Sequence, residues 1–102
     1  MKLVTKEVLG KIPNMEENES GRIYAKFFHV LTAWKWYAME YVPESEIFYG
    51  FVHGDFPELG YFSLSDFEDN QLGGLPFERD LFWNDETTLE TVESASAEGR
   101  PL

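Results

Sequence analysis

Three aromatic-rich stretches, Arg22 to Leu31, Trp34 to Val42 and Glu46 to His53, follow one another with only Thr32-Ala33 and Pro43-Glu44-Ser45 between them. Phe, Tyr, Trp, Ile and Val fit a pleated, half-buried surface, so each stretch reads as a β-strand. A parallel crossover needs a dozen residues or more, so breaks this short impose an antiparallel meander. In the first stretch Ile23, Ala25, Phe27 and Leu31 alternate onto one face, and Tyr24, Phe28 and Val30 onto the other. Apolar side chains on both faces imply a strand covered on both sides, or one side lined by amphipathic aromatics at a binding surface.

The flanking segments extend this meander. Thr5 to Pro13 predicts a short helix: Thr5 can accept from the first-turn amides, Val8, Leu9 and Ile12 share a face, and Pro13 ends it. Asn14 to Gly21 is polar and reads as an exposed loop. Gly54-Asp55-Phe56-Pro57 is a turn, and Leu59 to Ser63 a fourth strand. Ser65-Asp66-Phe67-Glu68 matches a capping box, predicting a helix from about Asp66 that ends at Gly73-Gly74. Leu75 to Trp83 is a strand or extended arm. After Asn84 the aromatics vanish, so residues 84–102 read as an acidic, flexible tail, disordered from Ser94 to Leu102. The expected fold is α+β: a mainly antiparallel sheet of three to five strands with two short helices, as a single domain over residues 1–83.

The core needs no covalent staple. If most of the seventeen aromatics are buried, at about 200 Å² each, they remove on the order of 3,000 Å² from water. Cysteine is absent, which excludes disulfides, thiolate metal sites and a Cys nucleophile. No stretch approaches the ~20 apolar residues of a membrane span, and the N-terminus is too interrupted by charge to resemble a secretory signal.

Charge narrows the partners. The formal net charge is −11, but residues 1–36 carry +2 and residues 37–102 carry −13. Binding to a phosphate backbone or an anionic membrane needs a basic surface, and 19 acids against 8 Lys and Arg argue against one. The expectation is a cytoplasmic protein that does not bind nucleic acid or membrane directly. Its acidic surface either serves solubility or occupies a basic cleft on another protein.

The candidate binding residues are Asp55, Glu58, Asp66, Glu68, Asp69, Glu78, Arg79 and Asp80, with Trp34 and Trp36. Arg79 lies between two acids and either forms a bidentate pair that pins the last segment to the sheet or takes part in binding. His53, Glu58, Glu78 and Asp80 offer an alternative as a small metal-assisted enzyme, and His29 and Asp55 could join such a site. Their spacing matches no metal motif, so no catalytic residue, metal or cofactor is assigned. Ser63 and Ser65 lack a nucleophile elbow. Trp34, Trp36, Tyr37, Tyr41 and Tyr49 are dense enough to stack single-stranded bases, but only Lys35 accompanies them, so core packing or a protein contact suits them better.

Several blocks resemble one family. They are Leu3-Val4-Thr5 with Ile12-Pro13, Lys26-Phe27-Phe28, Trp34-Lys35-Trp36-Tyr37-Ala38 with Glu40, Tyr49 to Gly54, Glu58 to Ser65, and Gly74 to Leu81. Together they are similar to domain of unknown function 2958 over most of residues 2–83, leaving out the loop after Pro13 and the acidic tail. The resemblance implies a setting on plasmids, phages or integrative elements and transfers no catalytic residue. The expected function is a non-catalytic module that engages a basic surface of a defence or nucleic-acid-handling enzyme, as a possible inhibitor or nucleic-acid mimic. The alternatives are a structural or regulatory subunit and the metal-assisted enzyme.

Overall fold

The computed structural model describes residues 3–102; Met1 and Lys2 lie outside them. In chain order its elements are α1 (Lys6–Lys11), β1 (Ala25–Phe28), β2 (Lys35–Val42), β3 (Ile47–His53), β4 (Glu58–Ser63), α2 (Leu64–Asp69), β5 (Gln71–Leu72), β6 (Leu75–Pro76), β7 (Glu78–Arg79) and α3 (Leu89–Ala97). The meander forms as the short breaks require. β1 to β4 pair antiparallel in succession, β7 adds antiparallel to β1, and the five-stranded order is β4-β3-β2-β1-β7. The fold is α+β, with a five-stranded antiparallel sheet and a small β5–β6 hairpin.

The sheet is covered on both faces. One core gathers Ala25, Phe27, Ala38, Tyr41 and Phe48 beneath Val4, Ile12, Leu64 and Phe67. The other gathers Ile23, Tyr37, Met39, Phe51 and Val92, with Trp83 and Leu89 against them. A bulge in β2 sets which side chains go where. Ala38 opposes Gly50 and Glu40 opposes Tyr49, so Met39 is the extra residue and Tyr41 rejoins the face of Ala38. Gly50 is required opposite that bulge, because a Cβ there would run into the Tyr37 carbonyl.

Local chemistry explains where elements begin and end. Thr5 caps α1 by accepting from the Val8 amide at 3.2 Å. β1 is shorter than the aromatic stretch around it. Arg22 bridges to Thr88, and the Ile23 amide donates to the Thr87 carbonyl. The chain thus leaves the ladder before Ala25, and Ile23 drops into the core opposite Phe27. Val30 and Leu31, also expected in the strand, follow its end and are exposed.

Helix α2 starts at Leu64 rather than near Asp66, and the expected capping box does not form. The Ser65 hydroxyl pairs with that of Ser63 at 2.7 Å, and Ser63 at the cap position caps no amide through its side chain. The helix stops at Asp69, before Gly73-Gly74. Those glycines, at φ +57° and +76°, instead form the two-residue turn joining β5 to β6, which demands positive φ at both positions.

Residues 84–102 differ most from expectation. In place of a flexible tail the segment carries α3, whose Leu89, Val92 and Ser96 fall on one helical face. Val92 is wholly buried against Tyr37 and Phe51. The helix ends in a left-handed Gly99, whose amide donates to Ser96 while that of Arg100 donates to Ala95. A single buried valine among Ser, Thr and Glu is a faint signal, and this third helix is what covers the second face. No helix among the described residues is long and apolar enough to cross a membrane.

Candidate functional site

Helix α2 buries Leu64 and Phe67, which turns Asp66, Glu68 and Asp69 to the exterior. Phe67 sits in an aromatic cluster, with ring centroids 5.1 Å from Phe27, 5.1 Å from Trp36 and 5.3 Å from Phe77. Beside it opens a cleft of about 500 Å³. Leu3, Phe67, Pro76, Phe77 and Leu81 give it apolar walls, while Glu68, Glu78 and Arg79 supply charge. Glu46 belongs to the same acidic side. Burial raises the Tyr41 hydroxyl above its ordinary pKa, and the carboxylates of Glu46 and Glu68 raise it further.

Arg79 does anchor the last segment, but not through a carboxylate. Its Nε donates to the Leu3 carbonyl at 3.0 Å, tying β7 to the stretch before α1. The two ion pairs among the described residues are Arg22 with Asp85 at 3.3 Å and Lys26 with Asp80 at 3.8 Å. Asp80 also accepts from the Phe82 amide at 2.9 Å. Asp80 is therefore committed to local structure; Glu68 accepts from the Leu3 amide at 3.4 Å, and Asp66, Glu68, Asp69 and Glu78 form no ion pair among the described residues.

The remaining candidates lie elsewhere. Glu58 opens β4, and Asp55 lies in the exposed turn before it. β4 and β7 are the two edges of the sheet, four strand spacings apart, about 19 Å. Glu58 therefore does not meet Glu78 or Asp80. His53 is on the other face, where its Nδ1 and the Ser96 hydroxyl lie 2.6 Å apart. The four residues of the metal-assisted alternative do not converge, and among the described residues no group of three or more His, Asp or Glu is arranged to hold a metal ion. His29 is buried, with Nδ1 accepting from the Leu31 amide and Nε2 donating to the Leu75 carbonyl, so it ties the β5–β6 hairpin to the sheet.

The tryptophans divide between two roles. Trp36 packs edge-on against Phe67 and Phe77. Trp34 tilts against Trp36 at 5.8 Å and lies over Gly54, where any Cβ would collide with its ring. Sequence reasoning had the carboxylates of this region but missed the apolar walls beside them. The Leu75-Pro76-Phe77 run next to Glu78 was the available signal.

A five-stranded antiparallel sheet with helices on both faces, and a cleft lined by Glu68, Glu78 and Arg79 between apolar walls, defines a small α+β domain. The chain belongs to the family described as "Protein of unknown function (DUF2958)", whose model matches residues 9–100. That match includes the loop after Pro13 and most of the segment beyond Asn84, and it leaves out the Leu3-Val4-Thr5 block. No curated protein and no solved structure matches the chain.

Proposed function

We propose that this protein is a non-catalytic binding module that engages a basic surface of a partner protein through the α2 face and the adjoining cleft. The observation that carries this reading is the pairing pattern. Among the described residues the ion pairs use Asp80 and Asp85, while Asp66, Glu68, Asp69 and Glu78 form none; Glu68 and Glu78 line the cleft together with Arg79, and Asp66 and Asp69 lie on the exposed side of α2 beside it. A lysine or arginine of the partner can lay its aliphatic stem against Phe67, Phe77 and Leu81 and bring its charge to Glu68 or Glu78. Such a partner is a defence or nucleic-acid-handling enzyme in a cell carrying a plasmid or phage, with a cytoplasmic encounter and carboxylates standing where phosphates would bind.

Affinity capture from cells carrying the native mobile element, at low and high salt, tests this. The expected partner is a basic protein released by salt and lost when Asp66→Asn, Glu68→Gln and Asp69→Asn are combined. Capture that ignores salt and survives these substitutions overturns the reading.

One observation favours a subunit of a larger assembly. Val30, Leu31, Leu72 and Leu75 are all exposed around the β5–β6 hairpin, and a Cβ at Gly73 would lie 2.7 Å from the Leu31 side chain. Under that reading, Leu31→Asp with Leu75→Asp abolishes capture and neutralising α2 does not.

A further inference from the structure

The two edges of the sheet are built differently. β7 is two residues long, both charged, and Arg79 is tethered to Leu3. This is how native sheets blunt an edge. β4 is six residues long and contains no proline, and its only charge is Glu58 at one end. No backbone hydrogen bond among the described residues joins Glu58–Ser63 to anything outside the β3–β4 ladder. In a stretch of chain carrying −13, the neutral run from Leu59 to Ser63 leaves one row of backbone donors and acceptors open and uncharged.

The side chains along that row are also incomplete. Leu59 is 43% exposed and Tyr61 72% exposed, on the face where their cross-strand neighbours are Phe51 and Tyr49. Tyr61 lies 5.0 Å from Tyr49, ring to ring, with no strand on its other side. On the opposite face Gly60 has nothing within 4 Å of where a Cβ would sit.

We propose that β4 is a homodimer interface, in which two copies pair β4 antiparallel about a twofold axis at Tyr61 and join their sheets into one. An antiparallel edge is complementary to itself, since rotating it by the twofold sets donors against acceptors. In the Tyr61-centred register Tyr61 meets Tyr61, Leu59 meets Ser63, and Gly60 meets Phe62. The two Tyr49–Tyr61 pairs become a ladder across four strands, and an aromatic ring covers each bare glycine. Glu58 of each copy falls beyond the last of these pairs, so no carboxylates face each other. The interface does not depend on the binding role of α2, which lies outside it. Because each copy carries −11, distant repulsion opposes pairing, and salt strengthens the dimer by screening it. This is the reverse of the effect expected at the acidic face.

The chain has no cysteine, so an introduced one is the only thiol. Under mild oxidation Tyr61→Cys is expected to give a covalent dimer, since directly opposed Cβ atoms stand about 4.5–5.5 Å apart and near disulfide reach. Phe82→Cys, on an exposed loop, is the control and should stay monomeric. Sedimentation of the unmodified protein should show dimer increasing with concentration and salt. The double variant Leu59→Lys with Tyr61→Lys should associate at least about tenfold more weakly, because like charges then oppose across the twofold. A protein that sediments as a monomer at every concentration and salt, as it would if β4 awaited a strand from a different protein, overturns the proposal. So does equal cross-linking of Tyr61→Cys and Phe82→Cys.

Discussion

The hydroxyl of Tyr37, in β2, donates to the main-chain oxygen of Leu102 at 2.7 Å across 65 residues of sequence. The bond fastens the segment after α3 to the buried face of the sheet. Tyr37 is fully buried, with its ring against Phe51 and Trp83. Tyr37→Phe keeps that packing and removes only the bond. Leu102 is exposed, so its main-chain oxygen can turn to water, and the expected cost is about 0.5–1.5 kcal/mol by urea denaturation.

The same tyrosine sets an alkaline limit. Burial pushes its hydroxyl well above the ordinary value of 10.0, so as pH rises past 10 the unfolded chain loses this proton before the folded one does. The unfolded state then binds fewer protons, and stability falls with increasing pH above about 10. The stability–pH curve of Tyr37→Phe should fall less steeply there than that of the unmodified protein. Identical slopes would show that Tyr37 does not titrate differently on folding.

Docking of α3 rests on Val92, which has no exposed surface and meets Ile23, Tyr37 and Phe51. Val92→Asp places an unpaired charge in that core and should detach the helix. Limited proteolysis gives the readout. In the unmodified protein, cleavage within residues 84–102 should be slow and follow global unfolding. In Val92→Asp it should become fast, with cleavage confined to this segment or spread through the chain as the second core opens.

Two glycines should respond to alanine with opposite signs. At Gly50 the added Cβ meets the Tyr37 carbonyl and the Met39 amide, both backbone atoms that cannot swing aside. Gly50→Ala should therefore cost roughly 3 kcal/mol or more, or prevent folding. Gly10 lies inside α1 with nothing within 4 Å of the new Cβ. Gly10→Ala should stabilise by about 0.5–1 kcal/mol through helix propensity. Thermal denaturation of the pair distinguishes close approach from backbone freedom.

These positions also show what the sequence could express. The meander was legible because strand composition and breaks of two or three residues are local facts, and so was the Thr5 cap. The bulge at Met39 was not, because it depends on how β2 meets β3. Ile23 lies on the face opposite to the one its alternation predicts, because its amide donates to Thr87 and the neighbouring Arg22 bridges to Thr88, far along the chain. Helix α3 was missed because burial on one face by Leu89, Val92 and the small Ser96 barely changes its composition. At the candidate site the acids could be named from the sequence. The separation of Glu58 from Glu78 could not, because it depends on β7 pairing with β1 at the far edge from β4.

The last prediction concerns Lys26, which β1 holds on the second face with its ammonium 3.8 Å from Asp80 and 5.6 Å above the Phe28 ring. Burial lowers its pKa, Asp80 opposes that effect, and neighbouring Lys35 adds to it. Desolvation outweighs the ion pair, which makes the two partners unequal under mutation. Asp80→Asn leaves the ammonium without its counter-charge beside Lys35 and should cost about 1 kcal/mol or more. Lys26→Met keeps the stem over Phe28, removes the desolvation, and leaves Asp80 its bond to the Phe82 amide, so stability should stay within about 1 kcal/mol of the unmodified protein. The pH dependence follows in sign. With its native pKa below 10.5, Lys26 releases its proton in the folded state first, so its contribution makes stability rise with pH up to about 10.5. That contribution should vanish in Lys26→Met and widen in Asp80→Asn, where the native pKa falls further. Equal losses from both substitutions would mean that the ion pair, not burial, governs this position.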